Sequence, residues 1–506
     1  MLFKTSSAAL QGIDAYVVDV EVDIGPGLPN YTVVGLPDAS VRESKERVKA
    51  ALKNLGYDFP PRRVTVNLAP ADRRKEGPAF DLPIALGHLA YIGVVPNDRF
   101  PDFLILGELA LDGRLKPVKG VLSSALLARK NGFRAIIVPR ANAREATLVE
   151  GIDIFTLDDL VQVVKLFRGE GGIDPSTFDR ASLFEQPPSD VDFKDVKGQH
   201  QVKRALEVAA AGAHNILLIG PPGSGKTMLA RRLPSILPAM TFDEIIEATQ
   251  IYSAAGLLRD KGPVAERPFR SPHHTISDAA LIGGGLVPRP GEVSLAHHGV
   301  LFMDELPEFE RDALEALRQP VEDGRVTVAR VAMTAVFPSA FMLVAAMNPC
   351  ADVMRGGGGR DADCTDYQRS KYYAKISGPL LDRIDIQVEV PAVKFRDIVS
   401  RLEGEGSEAI RARVAAARRR QVERFRGGGI FANARMGTRE VKSFCLIDGE
   451  GERLLEAAVT KLGFSARAYD RSLKVARTIA DLAGEEKISI AHLSEAIQYR
   501  AMDRYY

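Results

Sequence analysis

A chain of 506 residues with 45% hydrophobic and 26% charged residues has the make-up of a soluble globular protein, of roughly two to four domains. Its formal net charge of +1 excludes a global field drawing the whole molecule onto nucleic acid, so any such surface has to be a local patch. Three cysteines (Cys350, Cys364 and Cys445) exclude a disulfide framework and suit a reducing compartment; the opening MLFKTSSAALQGIDAY lacks the apolar core of a signal peptide, and no apolar run approaches the ~18 residues of a membrane helix, so a cytoplasmic location without a membrane partner is expected.

Residues 1–167 alternate strand-like and helix-like stretches. AYVVDVEVDI reads as a strand and ASVRESKERVKAALKNLGY as an amphipathic helix stopped at Gly56. RRVTVNLAP is a second strand, and DLPIALGHLAYIGVV a buried helix. FLILGELAL and GRLKPVKGV suggest a hairpin about Asp112-Gly113; SSALLARKNG is helical, RAIIVPR a strand and LDDLVQVVKLFRG a closing helix. Together they make a complete α+β domain. Residues 168–191, rich in Gly, Pro, Ser and Asp, read as a linker. Residues 192–391 have the strand-loop-helix order of an α/β core, and residues 392–506 are helical in pattern. That last part contains the basic stretch IRARVAAARRRQVERFR and a break at Gly427–Gly429.

The chemistry concentrates in the core. NILLIG runs into GPPGSGKT and then into TMLARRLPSI. This is a phosphate-binding loop in its strand-loop-helix setting, comprising Gly220, Pro221, Pro222, Gly223, Ser224, Gly225, Lys226 and Thr227. The glycines let backbone N–H groups turn onto phosphate oxygens, and the helix adds its positive N-terminal end. Lys226 is expected on the β- and γ-phosphates of ATP, and Thr227 on Mg2+. In GVLFMDE, a buried strand ends in two acids: Asp304 to hold the magnesium and Glu305 to polarise the attacking water. FMLVAAMNP is a further strand, ending at Asn348. The pairs His273-His274 and His297-His298 read as caps, turns or subunit contacts, because adjacent histidines on a strand or loop diverge and each pair offers one ligand at most to a common site.

VKGQHQVKRALEVAAAGAHNILLIGPPGSGKTMLARRLPSILP, RPFRSPHHTISDAALIGGG, RPGEVSLAHHGVLFMDELPEF, ALRQPVEDG, SGPLLDRID and ARTIADLAG resemble the YifB/ComM family of magnesium-chelatase-like AAA+ ATPases over essentially the whole chain. The resemblance implies an α/β fold: a P-loop core with a parallel sheet, and a helical C-terminal lid. It implies that Asn348 is the first sensor, that Arg383 is an arginine finger offered to a neighbouring subunit, and that Arg467 is the second sensor, with Arg471 one turn on as its competitor. Val196–Gln199, Gln199 included, resemble the adenine-contacting segment. The implied assembly is a hexameric ring of identical subunits. The implied function is an ATP-driven motor on DNA, branched or single-stranded, acting as a helicase in recombination of transforming DNA. Protein remodelling and the motor subunit of a metal chelatase are the alternatives.

Three segments qualify that picture. Family members commonly carry a cysteine-rich stretch after the first sensor; NPCADVMRGGGGRDADC keeps only Cys350 and Cys364, too few for structural zinc. No zinc is expected there, and Gly356–Gly359 should be a flexible loop. KEGPAFDLPIALG and GELALDGRLKPVKGVLSSALLARKNGFRAIIVP resemble the proteolytic domain of Lon-type proteases (a ribosomal S5 domain 2-like fold). The attacking serine is replaced by Ala79, and the lysine that takes its proton by Leu122, so an inherited fold without peptidase chemistry is expected. Finally, DGRVTVARVAMTAVFPSAFML alternates like a strand from Gly324 to Ala332. In related ring motors an extra hairpin at this point projects into the channel, which would let Arg325 and Arg330 meet DNA phosphates. The basic helix Ile410–Arg426 is the rival surface, although most charge runs are only solvated faces.

Overall fold

A computed structural model of the chain describes residues 1–177, 179, 183, 191–258, 262–285, 287–330, 333–350, 364–376, 378–393, 396, 404–427, 430–462 and 464–500. The chain separates into two units. One joins Met1–Glu185 to Phe242–Ala265; the other joins Gln186–Thr241 to Glu266–Tyr506.

The first unit is built on strands β1 (Leu2–Gln11), β2 (Asp14–Gly25), β3 (Asn30–Val34), β4 (Arg63–Ala69) and β5 (Phe103–Ile105). The small hairpin β6 (Glu108–Leu109) and β7 (Leu115–Lys116) follows, then β8 (Ala135–Pro139) and β9 (Asp153–Leu157). The main sheet runs β3-β4-β2-β1-β5-β8-β9. The β1–β2 and β2–β4 pairs are antiparallel and the others parallel. Valines 18, 20 and 22 on one face of β2 are fully buried, and so is the helix side of Val41, Val48 and Leu52 in helix Ala39–Asn54. That helix starts where the Asp38 carboxylate accepts the Val41 N–H at 2.8 Å, and ends before Gly56, whose φ is 78°. β1 escapes a reading by hydrophobic alternation because it buries Thr5 and Ser7 in place of large apolar side chains.

Helix Phe242–Ala255 lies in sequence between core motifs, yet it belongs to this first unit. The Ser253 hydroxyl donates to the buried Glu145 carboxylate, Gly120 N–H donates to the Ser253 carbonyl at 3.3 Å, and the Gln250 amide donates to the Ile13 carbonyl at 3.1 Å. Burial pushes the Glu145 carboxyl up against the pull of Ser253 and Asn142.

The second unit carries β10 (Ile216–Ile219), β11 (Phe269–Arg270), a short hairpin β12 (Gly283–Gly284) and β13 (Arg289–Pro290), and β14 (Val300–Met303). After these come the hairpin β15 (Arg325–Arg330) and β16 (Met333–Pro338), then β17 (Met342–Met347) and β18 (Ile386–Glu389). The central sheet runs β11-β14-β17-β10-β18, every pair parallel. β10, β14 and β17 are buried along their whole length, as central parallel strands are. The C-terminal part is helical, with Ser407–Arg424, Thr438–Phe444, Gly449–Leu462, Ala466–Ala483 and Ile490–Gln498 sharing one hydrophobic core with the sheet.

The basic helix Ser407–Arg424 is only partly a solvated face, because several of its arginines are engaged. Arg413 reaches Glu207 at 2.5 Å, Arg418 donates to the carbonyls of Ala210 and Ala211 at the end of helix His200–Gly212, and Arg424 grips Asp481. Of the glycine breaks, Gly428, Gly429 and Gly356–Gly359 lie outside the described residues.

His88 of the first unit yields a test. Its ring is fully buried, 4.6 Å from the Phe59 ring and 6.0 Å from Tyr31, and neither nitrogen has a hydrogen-bond partner among the described residues. Burial pushes its pKa down to about 4. The unfolded imidazole takes its proton near the ordinary value of about 6.5, so the folded state is fully favoured above that pH. Stability is then lost as pH falls towards about 4, by up to about 3 kcal/mol. Pulse proteolysis in urea, reading the first unit between pH 7 and 4, should show this slope in the parent and lose it in His88→Leu. An equal slope in both proteins would assign the acid sensitivity to another group.

Candidate functional site

The parallel sheet brings its chemistry to one edge. β10, β14 and β17 end together, since Ile219 pairs with Met347 and Met303 with Ala345. The residues following each strand therefore meet beyond the carboxyl ends of the sheet. After β10 the chain turns through residues 220–225 into helix Lys226–Ile236, with Gly225 at its N-cap at φ 91°. Gly220 is required by space: a Cβ there would lie 2.2 Å from the Val390 carbonyl oxygen. Pro222 and Gly223 form the exposed crest of the loop, while Ser224 is buried beneath it.

Lys226 is 8% exposed. Its ammonium donates to the carbonyls of Gly220 at 2.6 Å and Pro221 at 3.0 Å, and to the Asn348 side-chain oxygen at 3.0 Å. Thr227 donates its hydroxyl to Asp304 Oδ2 at 2.6 Å, and Asp304 Oδ1 accepts the Glu305 N–H at 3.0 Å. Glu305 itself has φ 54°, the left-handed region that a non-glycine residue enters only under constraint. Its carboxylate is exposed, with His274 Nδ1 3.4 Å from Oε2. Gln199, also left-handed at φ 52°, donates its amide to Ser224 O at 2.8 Å and to Pro391 O at 3.1 Å. Thus the loop, Lys226, Thr227, Asp304, Asn348 and Gln199 come together at one edge of the sheet.

Two contributors were given no role at the nucleotide site by the sequence. Tyr372, on helix Asp366–Tyr373, donates its hydroxyl to the Asn348 carbonyl at 2.9 Å and steadies the strand tip; burial pushes its phenol well up. His274 stands at Glu305. Both lie far in sequence from what they touch, and only the sheet order brings them there.

The donor set fits a triphosphate with a hard cation. Lys226 spends its protons on neutral carbonyls of its own loop, which anionic oxygens would outcompete. Ser224 Oγ and Gln199 Oε1 are buried without a hydrogen-bond partner among the described residues. Thr227 and Asp304 present two oxygens to one point, the ligand type that Mg2+ takes.

The arginines are engaged elsewhere. Arg383 follows helix Gly378–Leu381 and donates to the Pro379 carbonyl at 2.7 Å and to Glu322. Arg471 is paired with Asp385. Arg467 is 59% exposed and 3.7 Å from Asp382, which leaves it the freer of the two lid arginines. On β15, Val326 and Val328 are buried while Arg325, Thr327, Ala329 and Arg330 are exposed. Val331 and Ala332, the end of the expected hairpin segment, lie outside the described residues.

Two expectations change. The histidine rings do not diverge: His273–His274 and His297–His298 have centroids 4.1 and 3.8 Å apart, because the chain turns at both places. His297 Nδ1 accepts the Ala340 N–H at 2.9 Å. Where no disulfide framework was expected, Cys350 and Cys364 form one bridge, a proximity that 14 residues of separation conceal in the sequence. In the first unit, Ala79 offers its carbonyl to the Gly107 N–H at 3.0 Å, and Leu122 is buried, its N–H on Glu145 at 3.4 Å.

The family model described as "Magnesium chelatase, subunit ChlI" matches residues 192–398, "Subunit ChlI of Mg-chelatase" matches 20–142, and "Magnesium chelatase, subunit ChlI C-terminal" matches 404–500. The chain is 44% identical to the YifB protein of Escherichia coli over 502 residues, covering 98% of this chain and 96% of the relative. It is 43% identical to "Competence protein ComM" of Haemophilus influenzae over 501 residues, covering 98% and 97%. It is 28% identical to "Magnesium-chelatase 67 kDa subunit" of Chlorobaculum tepidum over 172 residues, 33% of this chain and 24% of that one.

Proposed function

The chain belongs to the YifB/ComM family of magnesium-chelatase-like proteins, and from that premise we propose that it is an ATP-hydrolysing AAA+ ring motor acting on DNA. The observation that carries the ATPase reading is the convergence of Lys226, Thr227, Asp304 and Asn348 from three strand tips.

In this reading the loop 220–225 and Lys226 take the triphosphate, and Gln199 lies on the adenine side. Thr227 and Asp304 would hold Mg2+, which would supply positive charge to the developing phosphoryl charge. Glu305 orients and polarises the water, and Asn348, braced through its carbonyl by Tyr372, fixes the water's line of approach. Arg383 of one subunit serves the nucleotide of the next, and Arg467 reaches it from the lid. Hydrolysis is then a property of the subunit interface, which is why a hexameric ring is proposed.

DNA as the substrate rests on the hairpin and on the competence relative. Arg325 and Arg330 are exposed on β15, and Arg330 lies against the second hairpin, where a Cβ at Gly284 would be 3.2 Å from its guanidinium. Repeated around a ring, this pair makes a basic lining that a chain of net charge +1 otherwise lacks. The chelatase reading has the family models' descriptions in its favour, but its relative covers only 33% of the chain. The first unit is proposed as a Lon-like fold used for packing, assembly or substrate contact; pure protein with ATP should leave casein uncut.

ATPase stimulation by single-stranded, duplex and four-way DNA, measured side by side, tests the substrate. If none of the three raises turnover, protein remodelling replaces DNA as the working reading. Lys226→Ala should lose both ATP binding and hydrolysis. Glu305→Gln should bind ATP while hydrolysis falls at least ~100-fold; near-normal phosphate release would remove Glu305 from the catalytic role. Arg325→Ala with Arg330→Ala should weaken DNA binding evenly across sequences and flatten its salt dependence, each lost phosphate contact taking about 0.9 from the slope. Basal ATPase should persist. Unchanged binding at several salt concentrations would move the DNA contact elsewhere.

A further inference from the structure

Arg383, read above as the finger for a neighbour's nucleotide, is held within its own chain. One guanidinium nitrogen donates to the Pro379 carbonyl at 2.7 Å and another to the Glu322 carboxylate, and the side chain is 11% exposed. Glu322 lies on helix Arg318–Asp323. The end of that helix is anchored: Arg435 donates to the Val321 carbonyl at 3.2 Å and to Phe341 at 3.4 Å. The carboxylate is thus offered from fixed backbone, yet its own side chain is 57% exposed. Its charge is kept by cations on several elements. The hydrogen bond from Arg383 holds its carboxyl below the usual range against burial, and Arg467 and Arg471 add to that effect.

Glu322 therefore sits as an anion among the arginines that the motor reading assigns to phosphate. A carboxylate and a phosphoryl group present the same paired oxygens to a guanidinium fork, so only one of them can hold Arg383 at a time. We propose that Glu322 is an internal stand-in for phosphate, a latch that retains Arg383 until a neighbouring copy of this chain presents its bound triphosphate. The proposal rests on the finger reading of Arg383. Removing the carboxylate's charge lowers the barrier to engaging the neighbour, so Glu322 restrains turnover and does not support it.

Mixed rings test this with the effect confined to one chain. Lys226→Ala protein has a sound finger and no working loop; Arg383→Ala protein has the reverse. Mixed, they hydrolyse ATP only where the finger of the first serves the loop of the second. Glu322→Gln added to the Lys226→Ala chain should raise turnover of the mixture by about twofold to fivefold, the factor that a partly exposed ion pair is worth. Added to the Arg383→Ala chain, it should change nothing. Equal melting temperatures will show that the exposed Glu322 is not needed for folding. A fall in turnover would make Glu322 a support for the finger, and no change, or an equal rise on either chain, would remove the latch while leaving the finger reading intact. Full ATPase in Arg383→Ala alone, or no activity in any mixture, would overturn the finger reading and the latch with it.

Discussion

One buried carboxylate connects the two halves of the second unit. Asp385 is 3% exposed and receives Arg471, His214 Nδ1 at 3.1 Å and the Asn215 N–H at 3.4 Å. Burial alone would push its carboxyl up; Arg471 and His214 override that and hold it well below the usual carboxylate range. A buried charge with its partners removed costs about 3–5 kcal/mol, so the elements bearing those partners cannot separate cheaply. Arg471 is on the lid helix Ala466–Ala483, Asp385 leads into β18, and His214 leads into β10. The phosphate loop at the end of β10 and the lid are therefore set relative to each other at the opposite end of the same strands.

The constraint extends to Arg383, the proposed finger. The Arg383 carbonyl accepts from Arg471 and from the Asn215 side chain, each at 3.0 Å. Two residues before Asp385, the backbone of Arg383 is held like the carboxylate, while its guanidinium ends on the half-exposed Glu322, which the proposed latch would have it exchange for phosphate. A fixed backbone with an exchangeable head suits a group that has to act at a variable interface. The catalytic end is prepared in the same way. Lys226 already touches Asn348 and Thr227 already touches Asp304, so the groups that the motor reading assigns to the nucleotide are held side by side before anything binds.

Charge is spent largely inside the second unit. Arg413, Arg418, Arg420 and Arg424 on one helix all bind carboxylates or carbonyls of neighbouring elements. A run that looks like a nucleic-acid face is mostly a set of clamps joining the lid to helix His200–Gly212 and to Asp481. The exposed arginines of β15 are different in kind: they stand on a two-stranded hairpin whose buried valines face the unit and leave the cations outward.

The elements legible in the sequence were those whose requirements are written in consecutive residues. The phosphate loop needs glycines at set places because only they allow the left-handed turn at Gly225 and the close approach of Val390 at Gly220. The buried strands before Asp304 and Asn348 announce themselves as apolar runs, and β15 as an alternation. β1 stayed hidden because its buried residues are threonine and serine, and helix Phe242–Ala255 because a helical pattern does not say which unit it packs in. The sequence by itself determined the family, the P-loop core and which residues could touch phosphate. Tertiary structure alone decided that Arg383 rests on Glu322, that Arg471 is taken by buried Asp385 while Arg467 meets only the exposed Asp382, and that Tyr372 braces Asn348. The reason is physical: a charged or hydroxyl side chain has many acceptable partners, and which one it meets depends on packing between elements tens to hundreds of residues apart.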